Sequence, residues 1–274
     1  MAPPRRRLAV RATAAISMQV TETATIALQV AVAGERPSDE SLEVTVGGAA
    51  VDVEELPTPV GGRQHVLEAG PGRLEIWYAA TAPAVPVPET SVTTTERIEA
   101  LRPSRYCPSD RVVGLAAGEF GGQSDAGATM RAICDHVSRR TAYTPGASVV
   151  TTDGVETLLA GQGVCRDYAH VVAMLGRAAG VPTRIAAVYA PGLAPMDMHA
   201  VVEAAVDGVW RVYDATGLAP RQSLARIVTG RDAADTAFLT VLDGRADLVA
   251  LEVSAVYDGD LPRDDRKELV SLPH

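Results

Sequence analysis

The sequence predicts an α+β protein in which an N-terminal antiparallel β-sandwich precedes a domain of mixed helices and strands. Short β segments separated by glycines fill residues 23–78, whereas apolar residues recur at helical spacing from residue 126 onward. Between these regions, residues 81–89 contain three prolines, which remove backbone donors and favour an extended connector. We therefore expect a β-sandwich domain at residues 1–90 and a second domain at residues 91–274.

Four β segments define the first region, and several of them alternate apolar and polar residues with a period of two. They are residues 26–32, 42–46, 65–68 and 73–78. The pairs Gly47-Gly48 and Gly61-Gly62 lie between segments, and glycine tolerates the backbone angles of tight turns. This pattern is typical of a small antiparallel sandwich.

The second region contains both helical and β patterns. The predicted helices are residues 126–141, 153–159 and 166–179. The predicted strands are residues 183–189, 199–206 and 209–214. Gly180 and Pro182 end the third helix. These elements indicate an α+β domain.

Composition and charge narrow the classes of partner. The chain has 274 residues, 47% of them apolar, which is enough for an ordinary core, and its formal net charge is −9. Nucleic acids and anionic membranes require a concentrated positive field, and no stretch is more cationic than Arg5-Arg6-Arg7. We therefore expect a small-molecule or peptide partner and neither nucleic-acid nor membrane binding. The sequence leaves the oligomeric state open.

The cysteines bear on compartment and metal binding. Cys107, Cys134 and Cys165 are odd in number and too widely spaced for a disulfide framework or a zinc site. The sequence shows neither an apolar run of signal-peptide type nor an 18-residue apolar span. We expect a cytoplasmic protein without a cofactor or a bound metal.

Cys165 is the strongest candidate for a nucleophile. It directly precedes the third predicted helix and follows Gly161 and Gly163. Free N–H groups and the positive end of the helix dipole favour an anionic sulfur at such a position, and the glycines allow a substrate to approach closely. A buried structural cysteine is the alternative, and it is the role that we assign to Cys107 and Cys134.

A turn at Asp207-Gly208 predicts how two later residues meet. Asp-Gly between two β runs favours a two-residue type I′ hairpin. With that turn, Val206 pairs with Val209, and the alternation of the strands places His199 and Asp214 on the same face. A carboxylate there would orient the imidazole and stabilise its protonated form. Taken singly, each could instead be a structural histidine or a turn aspartate.

Seven stretches in and around these elements carry a family resemblance. They are residues 102–110, 143–146, 161–170, 180–184, 196–200, 210–217 and 230–235. Together they resemble the transglutaminase-like superfamily, in particular its bacterial members of the cysteine-protease type. The resemblance implies a papain-like core, with a helix bearing the cysteine packed on an antiparallel sheet, and a catalytic triad of Cys165, His199 and Asp214. Arg166 replaces the tryptophan of the calcium-dependent animal enzymes, so we expect no calcium dependence.

Four further residues are candidates for binding the substrate or the oxyanion. The main-chain N–H of the nucleophile is one donor, and Tyr143 and Gln162 are rival candidates for the second. Asp167 and Asp232 could bind substrate, although aspartate in such positions more often caps a helix or forms a turn. His170, inside the third helix, is expected to be a hydrogen-bonded core residue.

The expected function is that of a cysteine-dependent peptidase, amidase or acyltransferase that works through a thioester, with water as the favoured acceptor. An arylamine-type acyltransferase uses the same triad on a related fold and is one alternative. A non-catalytic peptide-binding module with a vestigial triad is another. Substitution of Cys165 separates these possibilities, because only an enzyme would lose turnover.

Overall fold

The computed structural model describes residues 9–83 and 91–272 and confirms the α+β class. Its strands are β1 (Ala9–Leu28), β2 (Ser41–Val46), β3 (Ala49–Ala50), β4 (Val53–Pro57), β5 (Arg63–Ala69), β6 (Gly72–Pro83), β7 (Ala142–Tyr143), β8 (Gln162–Gly163), β9 (Thr183–Tyr189), β10 (His199–Val206), β11 (Val209–Tyr213), β12 (Ala225–Gly230) and β13 (Leu239–Tyr257). Its helices are α1 (Thr94–Glu99), α2 (Val113–Phe120), α3 (Ala126–Arg140), α4 (Gly154–Ala160), α5 (Cys165–Ala178) and α6 (Ala233–Thr236). Among these described residues, no helix is long and apolar enough to cross a membrane.

The larger sheet is antiparallel and, within the described residues, has seven strands. Its order is β3-β2-β6-β1-β5-β4, and β13 pairs with β1 as well. β1 pairs with β6 over residues 9–20 and with β5 over residues 24–28, which leaves its other edge to β13. A strand near the end of the chain therefore completes the sheet that the first strand begins.

β1 extends over 20 residues because one of its faces is apolar along most of that length. Val10, Ala12, Ala14, Ile16 and Met18 are buried at alternate positions, as a strand with one covered face requires. They belong to the same core as buried residues of β5 and β6. The sequence analysis began its first β segment at residue 26, so the N-terminal part of β1 was missed.

The other three β segments predicted in this region correspond to β2, β5 and β6. β6 continues through Pro83, so the first proline of the expected connector belongs to a strand. The rest of that connector and the expected boundary at residue 90 lie outside the described residues. The division into residues 1–90 and 91–274 stays a prediction, and β13 pairs with a strand of the first of these regions.

Three strands of the smaller antiparallel sheet, β9, β10 and β11, match predicted strands, and the fourth, β12, was not predicted. Its order is β11-β10-β9-β12. Asp207 and Gly208 have φ angles of 52° and 76°, as a type I′ turn requires, and Val206 pairs with Val209. The predicted hairpin and its register are therefore confirmed.

Helix α5 packs against this sheet. Its residues Val171, Val172 and Leu175 are buried in one cluster with Ile185 of β9 and Val202 of β10. α3 packs on α5 in the same cluster. This packing places the N-terminus of α5 beside the start of β10, which is where the sequence analysis put its nucleophile and its base.

The two sheets are joined at the end of β9. The Tyr189 hydroxyl donates a hydrogen bond to the Val30 main-chain oxygen at 2.7 Å, and its ring stacks on Tyr78 with the ring centres 6.3 Å apart. All three residues are completely buried. The smaller sheet is therefore attached to the larger one through packed aromatic rings as well as through aliphatic contacts.

The C-terminal strap, which we define as residues 258–272, crosses the outer strand of the smaller sheet. The Val212 N–H donates to the Val270 main-chain oxygen at 2.8 Å, and the Arg221 guanidinium forms a two-pronged ion pair with Asp264. Arg221 also donates to the Val212 carbonyl at 2.9 Å. The strap is thus fastened directly beside the end of β11.

Candidate active site

Cys165 is the first residue of α5 and is only partly covered. The helix start is held by Asp167, whose Oδ2 accepts hydrogen bonds from the Val164 N–H at 2.8 Å and from the Ser148 hydroxyl. A side chain at Gly163 would come within 2.6 Å of the Asp167 Cβ, so glycine is required for this close approach. These contacts set the position of the sulfur at the N-terminus of the helix.

His199 begins β10, and Asp214 directly follows β11. The His199 Nε2 lies 3.0 Å from the Asp214 Oδ2, and both side chains are buried. The second oxygen of Asp214 accepts from the Thr216 N–H at 2.8 Å and from its hydroxyl at 2.7 Å. The carboxylate is therefore held from both sides and can fix the orientation of the imidazole ring.

The charges of this group favour a protonated imidazole. Burial by itself lowers the pKa of His199, but the hydrogen bond and charge of Asp214, together with the nearby Cys165 sulfur, outweigh it and raise that pKa to about 10. Burial raises the pKa of Asp214, but the contacts with His199 and Thr216 outweigh burial and keep the pKa of this carboxyl below its ordinary value. The arrangement stabilises an imidazolium paired with a carboxylate.

The Cys165 thiol and the His199 ring are neighbours without a formed hydrogen bond between them. The thiol donates a long, weak bond to the Met198 main-chain oxygen at 3.8 Å. The His199 Nδ1 is buried and has no hydrogen-bond partner among the described residues. Active-site hydrogen bonds are often long before a substrate binds. The free ring nitrogen is the group that could accept the thiol proton.

Tyr143 and Gln162 lie on the paired strands β7 and β8, just before α5. Burial and the nearby Cys165 sulfur raise the pKa of the Tyr143 hydroxyl to about 12, while contact with the Cys165 N–H opposes this shift. The Tyr143 hydroxyl is therefore a neighbour of Cys165. Gln162 is exposed, and its side chain makes no hydrogen bond within the described residues.

Asp167 and Asp232, the two candidate substrate-binding acids, both hold the protein chain itself. Asp232 is almost completely buried; its two oxygens accept from the N–H groups of Tyr106 at 2.8 Å and Ala234 at 2.9 Å, the latter at the start of α6. Both acids therefore act as caps, which is the alternative that the sequence analysis named. Within the described residues, no group of three or more His, Cys, Asp or Glu side chains is arranged to hold a metal.

His170 is the core residue that the sequence predicted. It is completely buried, its Nε2 accepts from the Ala233 N–H at 3.2 Å, and its ring stacks on Tyr106 with the ring centres 5.2 Å apart. Burial lowers the pKa of His170 to about 4, so it stays neutral. A neutral ring that accepts a hydrogen bond from the main chain has a structural role.

Sequence reasoning missed three residues that complete the site. Thr216 was recognisable in principle, because a hydroxyl residue two positions after an aspartate often closes a local turn. Ser148 and the carbonyl of Met198 carried no such signal. They meet Asp167 and Cys165 only because the fold brings distant loops to the start of α5.

The chain is similar to known proteins in sequence and in fold. The family model described as the transglutaminase-like superfamily matches residues 114–215. No curated protein sequence matches the chain. The crystal structure of a "putative cysteine protease" from Cytophaga hutchinsonii is 30% identical in sequence, with a TM-score of 0.86 over 96% of each chain. The periplasmic domain of TgpA from Pseudomonas aeruginosa is 19% identical, with a TM-score of 0.40 over 77% of this chain and 88% of that one.

The Cytophaga hutchinsonii protein shares this fold over nearly the whole length of both chains. The residues matched by the family model contain Cys165, His199 and Asp214. The chain therefore belongs to the transglutaminase-like superfamily.

Proposed function

We propose that this protein is a cysteine-dependent hydrolase or acyltransferase of amide bonds, with Cys165 as nucleophile, His199 as base and acid, and Asp214 as the group that orients His199. The observation that carries the proposal is the buried imidazole of His199. One of its nitrogens is bonded to a carboxylate at 3.0 Å, and the other is left free beside a cysteine at a helix N-terminus. This is the arrangement of a nucleophile with its base and orienting group.

The chemistry divides into two steps. The Cys165 sulfur, having given its proton to His199, attacks the carbonyl carbon of the amide and forms a tetrahedral intermediate. As the C–N bond breaks, His199 returns that proton to the departing amine, leaving a thioester on Cys165. Water or an amine then attacks the thioester, His199 removes a proton from the attacking group, and the proton passes to the sulfur as the C–S bond breaks. Asp214 keeps its own charge throughout and stabilises the imidazolium.

The negative oxygen of the intermediate requires hydrogen-bond donors. The Cys165 N–H belongs to the first turn of α5, where main-chain N–H groups have no partner within the helix. Tyr143 supplies the second donor, because its hydroxyl is a neighbour of Cys165 and its raised pKa keeps it protonated at neutral pH. Tyr143 and Gln162 are both exposed, but Gln162 makes no side-chain hydrogen bond within the described residues.

The substrate that fits this proposal is a peptide or another amide. Water remains the favoured acceptor. The cytoplasmic location and the lack of nucleic-acid or membrane partners stay predictions from the sequence.

The test is turnover by matched cysteine variants. Wild type, Cys165→Ala and the control Cys107→Ala are incubated with a mixed peptide library, and mass spectrometry records cleaved, deamidated and amine-linked products. We expect product from wild type and from the control and none from Cys165→Ala. If Cys165→Ala binds peptides as wild type does and neither protein forms any product, the protein is a binding module. Product that survives in Cys165→Ala would refute the assigned nucleophile.

A further inference from the structure

A cavity of about 680 Å³ lies between α3, the end of β11 and the C-terminal strap. We call it the strap cavity. Asp214 forms part of its wall, whereas Cys165 and His199 do not line it. The cavity is therefore separate from the reacting groups, although it adjoins the carboxylate that orients His199.

The strap cavity is lined by four cationic side chains, and only one of them is neutralised by a partner. Arg221 is paired with Asp264, with both nitrogen–oxygen distances at 2.8 Å. Arg131, Arg266 and Lys267 make no side-chain hydrogen bond or ion pair within the described residues. Three positive charges are thus directed to one opening.

The carboxylates of the lining are mostly committed elsewhere. Asp214 is bonded to His199 and Thr216. Asp265 accepts from the main-chain N–H groups of the two strap residues that follow Arg266, at 2.9 and 3.3 Å. The lining therefore holds four cationic and three acidic side chains, which leaves an excess of one positive charge. This local positive excess stands out in a chain whose net charge is −9.

A buried donor completes the lining. Tyr213 is 5% exposed, and its hydroxyl has no hydrogen-bond partner among the described residues. Burial raises the pKa of Tyr213 to about 12, so the hydroxyl keeps its proton and can donate. Buried polar groups are nearly always hydrogen-bonded in folded proteins, so this hydroxyl calls for a partner, and Tyr213 lines the cavity.

The position of Arg266 is also specific. Its guanidinium occupies the space beside Gly217, where an added Cβ would lie only 1.6 Å from Nη2. A residue other than glycine at position 217 would therefore displace the arginine. The guanidinium therefore lies directly against the main chain at Gly217.

We propose that the strap cavity binds a small organic anion with carboxylate or phosphate groups, held by Arg131, Arg266 and Lys267 and by a hydrogen bond from Tyr213. A guanidinium matches the oxygens of a carboxylate or a phosphate with two parallel hydrogen bonds. The cavity volume is in the range of small-molecule sites, about 300–1,000 Å³. Binding here does not depend on the function proposed for Cys165.

The experiment is isothermal titration calorimetry of the full chain with inorganic phosphate and, separately, with citrate, at low ionic strength in chloride. We expect one saturable site for at least one of these probes. Arg266→Gln and Arg131→Gln should each weaken binding about tenfold or more, because each removes a charge-assisted hydrogen bond. Tyr213→Phe should weaken it less, since it removes a neutral donor. The control is Arg139→Gln, on the exposed part of α3, which should bind as wild type does.

Circular dichroism first establishes that each variant is folded, and the titrations then distinguish the possible ligands. Saturation by phosphate alone identifies a phosphorylated ligand, and saturation by citrate alone identifies a polycarboxylate. If neither probe saturates below about 10 mM, or if Arg139→Gln weakens binding as much as Arg266→Gln, the proposal is wrong. Cys165→Ala should bind the probe as wild type does, so a failure of the proposed function would leave this result unchanged.

Discussion

Replacing Asp214 with asparagine should convert His199 from a protonated to a neutral ring. The pKa of about 10, against an ordinary value of 6.5, corresponds to a preference of about 5 kcal/mol for the imidazolium. Asp214 supplies a large part of it by hydrogen bond and charge, and burial opposes it. With the carboxylate gone, burial should bring the pKa of His199 down and leave the ring neutral at pH 7.

Because of the hydrogen bonds of the site, this substitution should also change the tautomer of His199, beyond removing a charge. Thr216 donates two hydrogen bonds to one oxygen of Asp214, so the oxygen of an asparagine should stay there and its NH₂ group should face His199. The His199 Nε2 must then accept, which places the ring proton on Nδ1. In that tautomer the ring cannot take the Cys165 proton.

The assay is the rate of Cys165 alkylation by iodoacetamide, followed by mass spectrometry from pH 5 to pH 9. In wild type, we expect Cys165 to react below about pH 7, where ordinary thiols are slow, because the imidazolium stabilises the thiolate. Asp214→Asn should lower the rate at pH 6 to 7 by at least about tenfold. Asp125→Asn, the same change at an exposed helix cap, should have no effect. An unchanged pH profile in Asp214→Asn would refute the assigned coupling.

Three further predictions concern the donors, the core and the pH dependence of stability. Tyr143→Phe should lower kcat by about 10²–10³ in a peptide-turnover assay, and Gln162→Ala should leave it nearly unchanged. Glu203→Ala should lower the free energy of unfolding, measured in urea, by about 3–5 kcal/mol, because the buried Arg184 and Arg226 lose the carboxylate that they share and Arg184 retains only Glu96. Exposed Glu43→Ala should change it by less than about 0.5 kcal/mol. Folding raises the pKa of His199, so the stability that this residue contributes should be complete below about pH 6.5 and lost as the pH rises through about 10. Urea unfolding between these pH values should show a smaller loss of stability in Asp214→Asn than in wild type.

The hairpin could be predicted because its information is local. The Asp207-Gly208 dipeptide selects a turn with two positive φ angles, and the turn sets every pairing of β10 with β11. The side-chain period of two then decides that His199 and Asp214 share a face. The turn and the alternation together place the two side chains within hydrogen-bonding reach, and the distance between Nε2 and Oδ2 is 3.0 Å.

The larger sheet could not be predicted in the same way. Most of β13 is partly or fully exposed, and the sequence analysis did not predict it, although Leu251, Val253 and Ala255 pack on the core at alternate positions. It is a strand because β1 offers a free edge, and β1 lies more than 200 residues earlier in the chain. A pairing of this kind depends on the folded position of its partner, which periodicity within either segment cannot show.

The same reasoning explains why the chemistry of the site depends on segments that carry no catalytic signal. The hydrogen bond between His199 and Asp214 gains strength from burial, because a low local dielectric enhances a charged pair. The strap that crosses beside Asp214 is held by the ion pair of Arg221 with Asp264, two residues 43 positions apart with no motif between them. A sequence motif therefore identifies the candidate reacting atoms, and distant packing decides how strongly they are coupled.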